Sequence, residues 1–210
     1  AVYHFRRKDF DDIQLALKLF QQVVELDPNY AEAYAYMGDT YLHYTGFNLM
    51  TVAEGYENVK ACAEKALAIN PNEARAHKLL AYRALFYDWN WDEAISAYNQ
   101  AIDCGLNSDN EFISYYYIFI QKDFDEAIKV AQEAVYKDPM YILSHWQLGI
   151  CYYFAGRFKE AIKAMKACLE LDANFSEALR WMALNYAYPN QFEEAFQYID
   201  KALEITQGAG

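Results

Sequence analysis

One short pattern recurs four times in this sequence. It reads VVELDPNYAEAY at Val23–Tyr34, ALAINPNEARAH at Ala66–His77, AVYKDPMYILSH at Ala134–His145 and CLELDANFSEAL at Cys168–Leu179. In each copy an apolar run ends at Asp or Asn, and Pro follows, with Ala173 in its place in the last copy. Asp and Asn suit helix ends, and Pro cannot continue a helix but can begin one. The pattern therefore predicts a repeated junction between two helices.

The copies follow at a regular interval, with a compact residue at a fixed distance before each junction. Pro71, Pro139 and Ala173 are separated by one or two intervals of about 34 residues. Upstream of the four junctions, and once more near the chain end, stand the compact residues Ala16, Val59, Ala127, Ala161 and Ala195. Antiparallel helices approach closely where side chains are small. The spacing predicts a series of helix pairs.

These repeats resemble the tetratricopeptide family, whose unit is a helix–turn–helix of about 34 residues. In the fifth unit the matching positions are Leu148, Gly149, Tyr152, Gly156, Ala161 and Ala173. The sixth unit matches at Met182, Ala183, Tyr186, Ala195 and Ala202, and the second at Met37, Gly38, Tyr41, Ala66 and Pro71. The resemblance extends over essentially the whole chain. It implies an all-α fold, a right-handed solenoid of antiparallel helix pairs.

The same resemblance implies one domain over residues 1–210. The domain would contain a partial repeat at 1–30 and repeats at about 31–73, 74–108, 109–141, 142–175 and 176–207. The repeat at 31–73 is longer than the others, and its surplus lies near GFNLMTVAEGYEN, Gly46–Asn58. Thr51 followed by Glu54 forms a capping-box pattern, which predicts a helix from about Val52 to Ile69.

The third unit has an unusual turn, DWNW at Asp88–Trp91. Asn90 with Glu93 predicts a helix cap directly after it. The turn resembles a variant in the repeat domains of bacterial signalling proteins that carry a winged-helix or adenylate-cyclase domain. That resemblance implies an alternative function, a sensory or interaction domain of a bacterial regulator.

Local composition and repeat register disagree at NEFISYYYIFI, Asn110–Ile120. β-Branched and aromatic residues without Gly or Pro favour a buried strand. The register counted from Ala127 places the stretch on the first helix of the fourth unit, so we expect a helix. Tyr115 then stands where a small residue is usual, and Ala131 on the facing helix compensates for its bulk.

Composition narrows the function further. A formal net charge of −12 would repel a phosphate backbone and disfavours direct nucleic-acid binding. No apolar run approaches the roughly 20 residues of a membrane-spanning helix, so we expect no membrane insertion and a cytoplasmic location. The four cysteines are far apart and predict reduced core thiols. No nucleotide, zinc-protease or nucleophile motif occurs, so we predict no catalytic residue, metal or cofactor.

In the tetratricopeptide family, the first helices of successive repeats line a concave face. Transferred by position, the resemblance implies a ligand groove lined by Tyr82, Phe86, Phe112, Tyr116, Phe119, Trp146, Ile150, Tyr153, Phe154, Arg180 and Tyr188. Rings that only pack on one another are the alternative, but a contiguous exposed apolar patch marks an interaction site. A clamp for acidic tails is disfavoured, because Arg75 and Lys78 form the only basic pair at the positions that such a clamp uses. We predict a non-catalytic scaffold for a protein or peptide with an apolar or aromatic segment.

The ends and one loop are further candidate surfaces. The last helix has an apolar face formed by Phe192, Phe196, Ile199 and Leu203, and the first helix lacks a partner helix. We expect self-association through these terminal helices, or continuation of the repeats in a longer protein. The long loop at Phe47, Leu49 and Met50 is the next candidate surface after the groove.

Overall fold

The computed structural model describes residues 1–2, 10–46, 49–106 and 110–207, and every regular element in these ranges is helical. The α-helices are α1 (Phe10–Leu26), α2 (Ala31–Gly46), α3 (Val52–Ile69), α4 (Ala74–Phe86), α5 (Trp91–Asp103), α6 (Asn110–Tyr115), α7 (Phe124–Lys137), α8 (Ile142–Phe154), α9 (Phe158–Leu171), α10 (Ser176–Ala187) and α11 (Phe192–Gln207). None of the described helices is long and apolar enough to cross a bilayer.

The chain divides into two compact units, unit 1 at Ala1–Ser108 and unit 2 at Asp109–Gly210. In unit 1, α2 pairs with α3 and α4 with α5, while α1 packs on α2 and α3 on α4. In unit 2, α6 pairs with α7, α8 with α9 and α10 with α11, and adjacent pairs meet through α7–α8 and α9–α10. The predicted all-α fold of helix pairs is confirmed in each unit. The repeat boundaries remain a prediction.

Small residues let the helices approach closely, as the repeat pattern predicts. A Cβ atom on Gly38 of α2 would meet Leu79 Cδ1 of α4. A Cβ atom on Gly149 of α8 would likewise meet the Met165 side chain of α9. Ala161 of α9 is fully buried. Glycine and alanine at these places therefore set how near neighbouring helices lie.

Both predicted helix starts are confirmed. The Thr51 hydroxyl oxygen accepts a hydrogen bond from the Glu54 amide at 3.2 Å, and the Thr51 amide donates to the Glu54 carboxylate at 3.1 Å. Helix α3 covers Val52–Ile69, the predicted range. The Asn90 side-chain oxygen accepts from the Glu93 amide at 3.3 Å. These bonds satisfy amides that a helix start leaves unpaired.

The stretch Asn110–Ile120 is helical, as the register predicts, but its second half is not an α-helix. Tyr116–Gln121 is π-helical and directly continues α6. It ends at Lys122, whose left-handed backbone has φ 58° and whose amide donates to the Tyr117 carbonyl. A π-turn holds more residues than an α-turn and is often found at functional sites. The repeat pattern did not predict this change.

The bulk of Tyr115 is accommodated in the interior. Tyr115 is 9% exposed, although the repeat pattern favours a small residue at its position. Ala127 and Ala131 on the paired helix α7 are fully buried. Their small side chains agree with the predicted exchange of volume between the two helices.

Candidate functional site

Six aromatic side chains gather in unit 2. This aromatic cluster consists of Phe119, Tyr153, Phe154, Phe158, Trp181 and Tyr188. The ring of Tyr153 lies at its centre, with its centroid 5.2 Å from that of Trp181 and 6.1 Å from that of Tyr188. Both contacts are edge-on, a favoured geometry because the positive edge of one ring meets the negative face of another. The cluster therefore holds its rings in defined orientations.

The cluster is built from the ends of successive elements. Tyr153 and Phe154 lie in the last turn of α8, Phe158 begins α9, and Trp181 lies within α10. Phe158 also packs on Tyr188, with centroids 4.9 Å apart. Because the turn between α8 and α9 is short, it brings these rings to one side of unit 2.

The outer edge of the aromatic cluster is exposed to solvent. Tyr188 is 68% exposed and Phe154 is 37% exposed. The neighbouring apolar side chain on α10, Leu184, is 45% exposed. Tyr153 and Trp181 are half-buried beneath them. The cluster thus has a packed base and an apolar rim that a ligand can reach.

Phe119 enters the cluster from the π-helical segment. Its ring meets Phe154 edge-on with centroids 5.2 Å apart and stacks on Tyr115 at 5.9 Å. The wider π-turn changes the direction of the side chains that follow it relative to an α-helix. The irregular helix therefore contributes directly to the placement of one predicted site residue.

Two predicted groove residues of unit 2 lie in the core. Phe112 and Ile150 are each 1% exposed. A bound segment could not reach either side chain without disrupting the packing around it. The structure corrects their predicted role, since both stabilise the repeat interior and neither can line a contact surface.

Three other predicted residues of unit 2 are more accessible. Tyr116 is half-buried, and its hydroxyl accepts a hydrogen bond from the Gln121 side chain at 2.6 Å. Trp146 is half-buried, with its ring N–H enclosed and without a hydrogen-bond partner. Arg180 is exposed and donates to Glu177 at 2.9 Å. None of these three makes a ring contact with Tyr153 among the contacts of the described residues.

The remaining predicted surfaces belong to unit 1. Tyr82 is 8% exposed, so it is a core residue, and it packs against half-buried Phe86 with centroids 5.9 Å apart. In the alternative loop surface, Leu49 and Met50 are half-buried, and Phe47 lies outside the described residues. Of the two predicted groove residues of unit 1, Phe86 is therefore the more accessible.

Comparison with known proteins gives two matches to one repeat family. Models of the tetratricopeptide repeat match residues 142–175 and 19–50. These two segments are therefore similar to single tetratricopeptide repeats. Small glutamine-rich tetratricopeptide repeat-containing protein 2 of Saccharomyces cerevisiae is 28% identical over 87 residues, which are 41% of this chain and 22% of the yeast protein.

The human IFIT1 structure shares the fold. The human IFIT1 dimer with PPP-AAAA superposes at a TM-score of 0.74 with 20% identity, over 93% of this chain and 47% of the IFIT1 chain. YrrB, a TPR protein with an unusual peptide-binding site, superposes at a TM-score of 0.47 with 21% identity, over 89% of this chain and 91% of YrrB. The IFIT1 likeness supports the fold alone. This chain spans about half of IFIT1 and a smaller share of the yeast protein.

Sequence reasoning missed two members of the aromatic cluster. Trp181 directly follows Arg180, which the resemblance placed in the groove, and Phe158 belongs to the second helix of its repeat. The predicted groove already contained one pair of adjacent residues, Tyr153 and Phe154. Including the residue next to Arg180 in the same way would have found Trp181, whereas the family pattern contains no signal for Phe158.

A buried ionic cluster in unit 1 was also missed. Asp39 of α2 is 4% exposed and pairs with Arg75 and with Lys78 of α4, the latter at 3.1 Å. Burial by itself would raise the pKa of Asp39, but Lys78 and Arg75 outweigh it and lower the pKa from 3.8 to about 2. The Arg75 guanidinium also lies 4.0 Å from the centre of the Tyr36 ring.

This ionic cluster bears on the acidic-tail clamp. Arg75 and Lys78 are the basic pair that such a clamp would use, and both already neutralise Asp39. A carboxylate ligand would compete with a buried, well-paired partner. Both cations are therefore engaged by Asp39, and the exclusion of an acidic-tail clamp stays a prediction.

No group of three or more His, Cys, Asp or Glu side chains could hold a metal ion in the part of the chain that the structure describes. Cys62, Cys151 and Cys168 are buried thiols, and burial raises the pKa of each to about 12. A thiol is nucleophilic only as the thiolate, so these three residues are structural.

Proposed function

We propose that this chain is a non-catalytic scaffold that binds a partner through the aromatic cluster of unit 2. The partner presents an extended segment with apolar or aromatic side chains. The observation that carries the proposal is the exposed rim of Tyr188, Phe154 and Leu184 above half-buried rings. Large rings bury much area while losing few rotamers, which makes them effective anchors of an interface.

The packing of the cluster supports separate roles for its residues. Tyr153 contacts four other rings of the cluster, so its removal would disturb the base. Tyr188 is mainly exposed, so its removal would leave the base intact. We assign ligand contact to Tyr188, Phe154 and Leu184, and positioning of the contact residues to Tyr153.

A cytoplasmic location belongs to this proposal. Cys62, Cys104, Cys151 and Cys168 are free thiols, and disulfides are rare where the cytosol keeps thiols reduced. Fluorescence microscopy of the tagged full-length protein would test the location. A signal confined to an extracellular or secretory compartment would contradict it.

The test of the proposed function uses peptides selected for binding to the intact chain from a random display library. Tyr188→Ala is expected to weaken the best peptide by about thirtyfold, a loss of roughly 2 kcal/mol, with an unchanged melting temperature. Tyr136→Ala is the matched control, because Tyr136 is 88% exposed on α7 and lies outside the cluster. Affinity is measured by fluorescence anisotropy.

Two outcomes would contradict the proposal. Selected peptides could bind wild type and Tyr188→Ala equally well, or Tyr136→Ala could weaken binding as much as Tyr188→Ala.

The ligand in the IFIT1 structure supplies a further comparison. A chain with a net charge of −12 should not bind PPP-AAAA, and tight binding of that oligonucleotide in the same assay would favour a nucleic-acid function.

A further inference from the structure

A stripe of apolar side chains on the last helix is exposed. Phe192 is 52% exposed, Phe196 63%, Ile199 40% and Leu203 48%. Spacings of three and four residues place these side chains on one face of α11. We call this face the α11 stripe. It is distinct from the aromatic cluster described above.

The corresponding residues one repeat earlier are shielded from solvent. The positions that match the α11 stripe on α9 are Phe158, Ile162, Met165 and Leu169. Met165 is fully buried and the other three are half-buried, because α10 packs on α9. The same face of the same type of helix is therefore a helix-packing surface inside unit 2.

Helix α11 is held in place by another of its faces. Ala195 is 3% exposed and Ala202 is 6% exposed, and α11 packs on α10. Tyr198 stacks on Tyr186 of α10, with ring centroids 5.5 Å apart and planes 8° from parallel. The exposure of the α11 stripe therefore does not arise from an unpacked helix.

Acidic residues form one edge of the α11 stripe. Glu193, Asp200 and Glu204 each directly follow a stripe residue, so they lie about 100° further round the helix, all on the same side. All three are exposed. Ala195 and Ala202 each precede a stripe residue and face α10 on the other side. The stripe therefore lies between a packed edge and an acidic edge.

We propose that the α11 stripe docks an amphipathic helix of a partner protein, with Lys or Arg in a row along one side of its apolar face. The apolar face would cover Phe192, Phe196 and Ile199 in the way that α10 covers α9. The basic row would oppose Glu193, Asp200 and Glu204. Complementary charges at the rim of an interface select the partner and its orientation.

The charge of this chain disfavours a second copy as the partner that covers the α11 stripe. Two α11 helices packed antiparallel through the stripe would bring two acidic rows together, and a parallel pair would place each acidic row against the edge that α10 covers. Helix α1 contains Asp11, Asp12 and Glu25 against a single Lys18. Neither α1 nor α11 therefore supplies the basic row that would match the acidic edge.

Two synthetic peptides of about 16 residues, long enough to cover the helix, test the proposal. They share a leucine face, and each is held helical by a hydrocarbon staple on its opposite face. One has lysines along one side of that face, and the other has glutamates at the same positions. Anisotropy at low ionic strength should show at least about tenfold tighter binding of the lysine peptide.

Two variants separate the apolar and the charged contributions. Phe196→Ser should weaken the lysine peptide by at least about tenfold, because its ring is exposed and available to the peptide. The combined variant Glu193→Lys, Asp200→Lys and Glu204→Lys should instead prefer the glutamate peptide. Circular dichroism verifies that both variants keep the wild-type melting temperature.

The proposal is overturned if neither peptide binds, if wild type binds both equally, or if a longer form of the protein adds a helix that covers the stripe. It is also overturned if sedimentation shows a wild-type dimer that Phe196→Ser converts to a monomer, since the stripe would then join two copies. Should Phe196→Ser reduce stability, the inversion of charge preference in the triple variant decides the outcome. A continued preference for lysine would contradict the assigned acidic edge.

Discussion

The two units use the same helix-pair architecture for different side-chain chemistry. Counted from the junction prolines, Asp39 of unit 1 and Ile150 of unit 2 stand at the same place, and so do Lys78 and Trp146. Unit 1 places an ionic cluster there, whereas Ile150 of unit 2 is part of an apolar interior. The residues at close helix approaches are small in both units, so the residues between them can differ in chemistry without a change in helix pairing.

The two units should also differ in how they respond to mutation. A buried ion pair loses stability when one partner is removed, because the other charge stays buried without compensation. A ring on the rim of a packed cluster can be removed with little effect on stability, and its contribution appears only when a ligand binds. We therefore expect unit 1 to respond to mutation mainly in stability and unit 2 mainly in binding.

The largest expected effect concerns the ionic cluster. Asp39→Ala should destabilise the protein by roughly 3–5 kcal/mol, because Arg75 and Lys78 lose their buried counter-ion. Urea denaturation monitored by circular dichroism measures the change. Glu64→Ala is the control, since the Glu64 side chain is 60% exposed and its pair with Lys60 should contribute at most about 1 kcal/mol.

A combined variant sharpens this prediction. Replacing the cluster by the residues at the corresponding places in unit 2, as Asp39→Ile with Arg75→Leu and Lys78→Trp, should recover much of the stability lost in Asp39→Ala. Exchange of a buried ion pair for packed apolar groups is often neutral. A triple variant less stable than Asp39→Ala would show that the two units are not interchangeable at these positions.

The second effect is a loss of stability at low pH. The pKa of Asp39 is lowered from 3.8 to about 2, so the folded state holds the carboxylate more tightly in its charged form than the unfolded state does. This contribution is about 2 kcal/mol, is present in full above about pH 4, and disappears as the pH falls through about 2. Denaturation at pH 5 and pH 2 should show a smaller loss for Asp39→Asn than for wild type. Parallel losses in both proteins would contradict it.

A smaller effect should distinguish the two glycines at helix approaches. A Cβ atom on Gly38 meets a methyl group of branched Leu79, with Cys62 Cβ at 3.3 Å, whereas one on Gly149 meets the end of the flexible Met165 side chain. Gly38→Ala should therefore destabilise by about 1 kcal/mol more than Gly149→Ala, since Met165 can move at little cost. Thermal melting of the two variants measures this, and the reverse order would show that the approach in unit 2 is the tighter one.

The smallest effect is chemical and leaves stability unchanged. Cys151 and Cys168, the thiols of unit 2, are buried with pKa values raised to about 12, as is Cys62 of unit 1. Half-buried Cys104 should alone react with a thiol reagent in the native protein. Mass spectrometry after brief labelling should find one modification in unit 1, and none in Cys104→Ser. Labelling in unit 2 would indicate local opening there.

Features that depend on neighbouring residues could be predicted well. The caps at Thr51 and Asn90 need only a side chain and an amide three residues away, so their sequence patterns are sufficient. The helical state of Asn110–Ile120 was predicted from the repeat register, although the local composition favoured a strand. Its change to a π-helix was not predictable in this way, because no residue pattern in the repeat specifies an altered turn.

The helix pairs, their junctions and the small residues at close approaches could be predicted from the sequence, because they depend on periodic spacing along the chain. The family pattern put Tyr153, Phe154 and Tyr188 in the predicted groove, but it did not distinguish them from buried Phe112 and Ile150. Which rings are exposed depends on tertiary packing, since burial is set by residues far apart in the chain. The pairing of Asp39 with cations from another helix depends on tertiary packing for the same reason.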